Sequence, residues 1–199
     1  MELERRIKDG SMKVDFTNNR HNSGLGNRQS FLKAHIRDVP DFPKEGVLFK
    51  DISPLLRNHH AFTSAITDMA DAINQFGRVD ALACIDARGF FFGAAISLYA
   101  KIGMIPVRKP GKLPGDLIMG CSVNEYALAD LCIQKDTIKE GERVIIVDDV
   151  LATGGTIKTV ASILEMNRVT VLGAIVLLEL SDLGGRNTAK IPVYSVLKY

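Results

Sequence analysis

The 199-residue chain has few cysteines, no long apolar run and little excess of either charge. Its three cysteines, Cys84, Cys121 and Cys132, show no paired metal-ligand spacing and cannot all pair within one chain, which argues against a disulfide scaffold or a zinc ribbon. They read as buried small hydrophobes in a reducing cytoplasm. No apolar stretch is long enough to cross a bilayer, and the opening segment "MELERRIKDGSMKVDF" lacks the apolar block of a secretory signal, so a cytoplasmic, membrane-free protein is expected. Lys and Arg number 25 against 23 Asp and Glu, for a net charge of +2, and no basic stripe with interleaved aromatics accompanies them. No nucleic-acid partner is therefore expected. Internal repeats are absent. His59 and His60 stand side by side in a polar stretch and read as solvated rather than metal-binding.

What is present describes one soluble α/β domain. The chain is too short for two comfortable domains, and 46% hydrophobic residues with a mean hydropathy of +0.09 are ordinary for a globular core. Residues 1–30 are polar and aperiodic and read as a flexible tail, with the domain covering 31–199. A short helix is expected near Phe31 to Arg37. The segment "DVPDFPKEGVLFKDISPLL", with three prolines and a glycine, reads as a shaped loop. Phe62, Ile66, Met69 and Ile73 then recur at helical spacing. A strand at Val79 to Ile85, a helix at Phe91 to Tyr99 and a strand at Met104 to Val107 give βαβ alternation. A basic loop "RKPGKLPGD" leads to a hairpin of Ser122 to Tyr126 with Asp130 to Gln134. Strands at Thr170 to Leu178 and Ile191 to Leu197 complete a mainly parallel sheet flanked by helices.

The most informative stretch is "VIIVDDVLATGGTI", Val144 to Ile157. Val144 to Val147 are all β-branched and read as a strand buried on both faces. Asp148 and Asp149 close that strand, and Thr153, Gly154, Gly155 and Thr156 form the turn into a helix marked by Ile157, Val160, Ala161 and Leu164. Glycines there let backbone N–H groups point inward, the threonines add hydroxyls, and the helix start adds partial positive charge, which together suit a phosphate monoester. The pattern is neither a Walker loop nor G-x-G-x-x-G. Two carboxylates beside a phosphate would repel it unless they face another part of the ligand. The vicinal hydroxyls of a ribose 5-phosphate meet that need, with Mg2+ completed by substrate oxygens and water as an assistant. A solvated Asp-Asp turn is the plainer alternative.

"VIIVDDVLATGGTI" resembles the phosphoribosyl pyrophosphate (PRPP) signature of the type I phosphoribosyltransferases. "DFPKEGVLFKDISPLL", "DARGFFFGAA", "VRKPGKLPG", "EYALADLCIQKD" and "LLELSDLGGR" resemble, in order and spacing, segments of the adenine-using branch of that family, from about Ile36 onward. The resemblance implies a parallel-sheet fold with a small N-terminal hood and a mobile lid loop. It also implies a homodimer, and transfer of phosphoribose from PRPP to N9 of adenine, giving AMP and pyrophosphate in purine salvage with Mg2+ present. Ala152 joins Asp148, Asp149 and the Thr153 to Thr156 turn as the ribose and 5′-phosphate site. Asp86, Ala87 and Arg88 become the pyrophosphate loop, supported by Arg108, Lys109 and Lys112, part of which would come from a second subunit. Glu125 and Tyr126 match the lid's Glu-Tyr pair, with Glu125 and Arg88 nearest the chemistry. Phe49 and Leu180 would sandwich the purine while Leu48 and Lys50 offer backbone groups. On residues alone, Phe49 reads equally as a core aromatic. Ala127 and Cys132 depart from the glycine and glutamate usual in the family, and Lys50 stands where arginine is frequent. Another base, a 6-oxopurine or orotate, or a PRPP-sensing regulator without catalysis are the competing functions.

Overall fold

A computed structural model describes residues 25–120 and 131–199. Its centre is a five-stranded, wholly parallel sheet in the order β4-β3-β7-β8-β9, where β3 is Ala81–Ile85, β4 Gly103–Val107, β7 Arg143–Leu151, β8 Thr170–Glu179 and β9 Val193–Lys198. Central strands bury both faces, and the sequence supplies the apolar runs this requires: Val144, Ile145, Ile146 and Val147 are all fully buried. Each such side chain contributes roughly 1.5–3 kcal/mol of transfer free energy.

Helices cover both faces. On one side lie α1 (Leu25–Lys33), α3 (His59–Ile73) and α4 (Gly89–Ala100), packed with Leu82, Cys84, Ile145 and Val147; on the other, α5 (Gly155–Met166) packs Ile157, Val160 and Leu164 against Ala83, Val144 and Ile146. The expected helix spacing from Phe62 to Ile73 is realised in α3, which starts earlier than the apolar pattern because the Asn58 side chain accepts the Ala61 N–H at 3.0 Å and caps it. His59 and His60 form its first turn instead of a loop ahead of it. Cys84 and Cys132 are free and buried, as expected; burial, with the nearby Asp148 charge, pushes the Cys84 thiol up to about 12.

Four expectations change. The first helix spans Leu25–Lys33 instead of Phe31 to Arg37, crossing the expected boundary at residue 30. It lacks an apolar stripe and is held by buried Leu32, by an Arg28–Asp68 ion pair and by a Gln29 side-chain bond to the Val196 carbonyl at 3.3 Å. The shaped loop contains a separate two-stranded antiparallel ribbon, β1 (Arg37–Val39) with β2 (Phe49–Asp51), followed by a short helix α2 (Ser53–Arg57). The hairpin pairs β5 (Leu117–Gly120) with β6 (Leu131–Gln134), so its first strand precedes the expected one; Ser122 to Tyr126 lie outside the described residues. Finally, the aspartates do not end their strand. β7 continues to Leu151, pairing Val150 with Leu178 and Leu151 with Glu179.

Connection order fixes where a ligand can sit. From β3 the chain crosses through α4 to β4 on one side, whereas β7 lies on the other side and the chain continues outward from it to β8 and β9. The reversal leaves a crevice beyond the carboxyl ends of β3 and β7, the usual binding position in open parallel sheets.

Candidate active site

Two segments meet at that crevice. Asp86, Ala87 and Arg88 follow β3, with the Asp86–Ala87 peptide cis, while Asp148 and Asp149 arrive on β7. Both aspartates are buried, at 9% and 3% exposure. Asp148 Oδ1 accepts the Asp149 N–H at 2.8 Å. A Cβ at Gly89 would lie 3.1 Å from that same oxygen and 2.9 Å from the Val147 carbonyl, so the helix α4 can begin this close to β7 only with a glycine. Asp149 faces Arg88, whose Nε lies 2.9 Å from Oδ2. The contact is an ion pair without hydrogen-bond alignment: Asp149 Oδ2 and Arg88 Nη1 are both buried with no hydrogen-bond partner among the described residues. Buried polar atoms left so are costly within a protein alone and mark a place for a ligand's polar groups.

Burial holds the Asp148 carboxyl well above the ordinary range, and repulsion from Asp149 adds to it. Asp149 is also raised by burial, with the Arg88 charge pulling against that. A pair in this condition gains from donors such as sugar hydroxyls or from a cation. Among the described residues no group of three or more His, Cys, Asp or Glu could hold a metal, so the donor set fits an ion carried mainly by substrate oxygens and at most supported by these two carboxylates.

After Leu151 the chain makes the expected cup. Gly154 precedes the twelve-residue α5 with φ +83°. A Cβ there would come within 2.2 Å of the Gly185 carbonyl, and one at Gly185 within 2.3 Å of the Ala152 carbonyl. Ala152 to Gly155 are therefore clamped backbone to backbone against the short helix α6 (Gly185–Ala189). Thr153 is exposed, with Gly155 and Thr156 half-buried at the helix start, where unpaired N–H groups face outward. A Glu179–Arg186–Ser195 brace fixes α6. Arg186 donates to both Glu179 oxygens at 2.6 Å and to the Val193 carbonyl at 2.6 Å, and Ser195 donates to Glu179 at 2.5 Å. Burial alone would raise the Glu179 carboxyl, but these bonds hold it below the usual range.

On the other flank, Arg108 Nε donates to Asp86 at 2.8 Å and Nη1 to the Lys112 carbonyl at 3.0 Å. Asp86 thus positions a cation at the crevice. Lys109 and Lys112 are exposed on the turn that follows. Cys132 exchanges backbone bonds with Arg108 at 3.1 and 2.7 Å, so it ties the hairpin to this flank through its main chain. Glu125, Tyr126 and Ala127 lie outside the described residues.

Phe49 is brought to the crevice from the ribbon: the Arg88 guanidinium lies 4.8 Å from its ring centroid, and Phe42 meets the ring edge-on at 5.1 Å. It is half-buried, not a core aromatic, and neighbouring Leu48 is half exposed. Lys50 points to the opposite face, donating to Asp38 at 2.7 Å and lying over the Tyr199 ring at 4.1 Å. Leu180, at the end of β8, is held by its N–H to the Leu151 carbonyl at 2.9 Å. The sequence reading missed Gly89, Gly185 and Tyr199. Gly185 lies within "LLELSDLGGR", and its glycine pair before a helix was a signal available for it; nothing local marks the other two.

Residues 55–198 match the family model of the phosphoribosyl transferase domain. Adenine phosphoribosyltransferase of Cutibacterium acnes is 46% identical over 159 residues, covering 80% of this chain and 89% of that protein. That of Mycoplasmopsis agalactiae is 47% identical over 171 residues, covering 84% and 99%. Among solved structures, the adenine phosphoribosyltransferase of Thermoanaerobacter pseudethanolicus superposes with a TM-score of 0.82 at 42% identity, over 86% of this chain and 99% of that one. The Saccharomyces cerevisiae enzyme, complexed with an imino-altritol bisphosphate and adenine, gives 0.80 at 34%, over 86% and 99%.

Proposed function

The chain belongs to the phosphoribosyl transferase family, and from that membership we propose that it moves the 5-phosphoribosyl group of PRPP to adenine, giving AMP and pyrophosphate. One observation carries the assignment of roles: a single guanidinium, Arg88, touches a carboxylate suited to the ribose, Asp149, at 2.9 Å and the ring suited to the base, Phe49, at 4.8 Å. Donor and acceptor therefore meet around one side chain.

In the reaction the bond from C1′ to the pyrophosphate oxygen breaks with its electron pair leaving on pyrophosphate, a bond from C1′ to N9 forms, and the N9 proton passes to the departing pyrophosphate or to solvent. The ring passes through an oxocarbenium-like state. Asp148 and Asp149 accept hydrogen bonds from the ribose diol and set negative charge beside the developing cation. Backbone N–H groups of Ala152 to Thr156 and the threonine hydroxyls hold the 5′-phosphate. Arg108, held by Asp86, and exposed Lys109 and Lys112 neutralise the departing pyrophosphate, with Ala87 turning the loop from Asp86 to Arg88. Phe49 and Leu180 enclose the base, and the main chain at Leu48 and Lys50 reads its edge. Glu125 and Tyr126 retain the role the resemblance gives them, next to the leaving group and the base. Mg2+, when bound, offsets pyrophosphate charge, with Asp148 and Asp149 as its protein-side support.

A homodimer is supported by the outward face of α4, where Phe91 and Leu98 are 51% and 83% exposed beside exposed Ala94, an apolar stripe a second copy would cover. Free, buried Cys84 and Cys132 support a reducing, cytoplasmic setting, and among the described residues no helix is long and apolar enough to cross a membrane. The deciding measurement is pyrophosphate release from PRPP and Mg2+ with adenine, hypoxanthine, guanine or orotate in turn. Release with adenine alone is expected. Release with hypoxanthine or orotate but not adenine would reassign the acceptor, and release with none would favour a PRPP-sensing regulator.

A further inference from the structure

The proposed base site has two walls on separate parts of the fold. Phe49 belongs to the β1–β2 ribbon, which shares no strand pairing with the main sheet, whereas Leu180 directly follows the inner strand β8. A two-stranded ribbon is marginal alone and needs tertiary contacts to stay in place. Its pleat sends Phe49 to the crevice and Lys50 to the opposite side.

Tyr199 meets that opposite side. Its N–H donates to the Glu179 carbonyl at 2.9 Å, and its carbonyl accepts the Ser181 N–H at 2.8 Å, so its main chain brackets Leu180 on both sides. Its ring lies beneath the Lys50 ammonium at 4.1 Å, with Lys33 of α1 at 4.8 Å. Asp38 holds the same Lys50 from across the ribbon at 2.7 Å. One residue is therefore bonded to the segment carrying one wall and packed on the residue adjoining the other.

Resting on the base site described above, we infer that Tyr199 is a positioning residue for the acceptor: it acts as a clip that sets the spacing between Phe49 and Leu180 without touching the base. The ring is what the clip uses. The Tyr199 hydroxyl is buried with no hydrogen-bond partner among the described residues, so removing it costs none of the bonds described.

Steady-state kinetics on the full chain test this with Tyr199→Ala, Tyr199→Leu and Tyr199→Phe, beside Phe49→Ala as a reference for the base site. Tyr199→Ala is expected to raise the KM for adenine about tenfold while KM for PRPP and kcat stay within about twofold. Tyr199→Leu keeps apolar volume for folding but removes the cation-binding ring face, and is expected to show the same split. Tyr199→Phe restores wild-type values. If Tyr199→Leu leaves adenine KM unchanged, or raises both KM values equally, the clip is overturned. If Phe49→Ala also leaves adenine KM unchanged, the fault lies in the placement of the base site and the clip falls with it.

Discussion

The donor side and the acceptor side of this crevice are built in opposite ways. The donor side is one continuous stretch, Val144 to Ile157, in which strand, carboxylates, turn and helix start follow in the order the ligand needs them. The acceptor side as proposed joins Phe49 on a peripheral ribbon with Leu180 just after β8, more than half the chain apart. Contiguity lets local chemistry be read directly, because neighbouring residues on a strand and turn have fixed relative positions. An assembled wall has no such signal.

The contrast can be broken first at Asp149. Asp149→Asn leaves Arg88 facing a neutral amide and removes a ribose acceptor, so kcat/KM for PRPP is expected to fall about a hundredfold with KM for adenine nearly unchanged. An equal loss toward both substrates would show that the two sides are not separable.

Asp148→Asn tests the cost of the donor side. In the protein without substrate the Asp148 carboxyl is raised by burial and by Asp149. The stability penalty is therefore fully present at pH above that raised value, shrinks as pH falls through it, and is gone near the ordinary aspartate value of about 4. Asp148→Asn is expected to stabilise the substrate-free protein by about 1 kcal/mol at pH 7.5, seen as a Tm higher by ~2–4 °C, with the gain shrinking toward pH 5. PRPP use should weaken in the same variant. A gain that grows on acidification would contradict the sign.

The smallest effect belongs to the acceptor side. Lys50→Arg keeps a cation for Asp38 and for the Tyr199 ring, and the base-reading groups proposed at this position are main chain. Adenine KM is expected to change less than about twofold. A large change would place the Lys50 side chain in the base site.

Legibility followed the same division. The parallel sheet and α3 to α5 were readable because apolar residues recur at strand or helix period. Helix α1 was not, since its anchors are one leucine and polar contacts to Asp68 and Val196, residues remote in sequence. β5 was not read because "LIMG" carries no alternation stronger than the residues after it. At the site, the Asp-Asp pair, the glycine turn and Arg88 were legible as residue types. Their relations were not: Arg88 finding Asp149, Gly154 lying on Gly185, and Lys50 lying on Tyr199 all depend on how distant segments pack.

The small ribbon carries one more consequence. Because, among the described residues, β1 and β2 pair only with each other, residues 37–51 can lengthen, shorten or change side chains without altering the register of any strand that holds Asp148, Asp149 or the glycine turn. On the assignment proposed above, the Phe49 wall can thereby diverge without a register shift in the donor strands, and Arg88 is the one contact through which such a change would be felt at Asp149. A duplicated gene with this fold could vary one wall of the proposed base site by drift in fifteen residues.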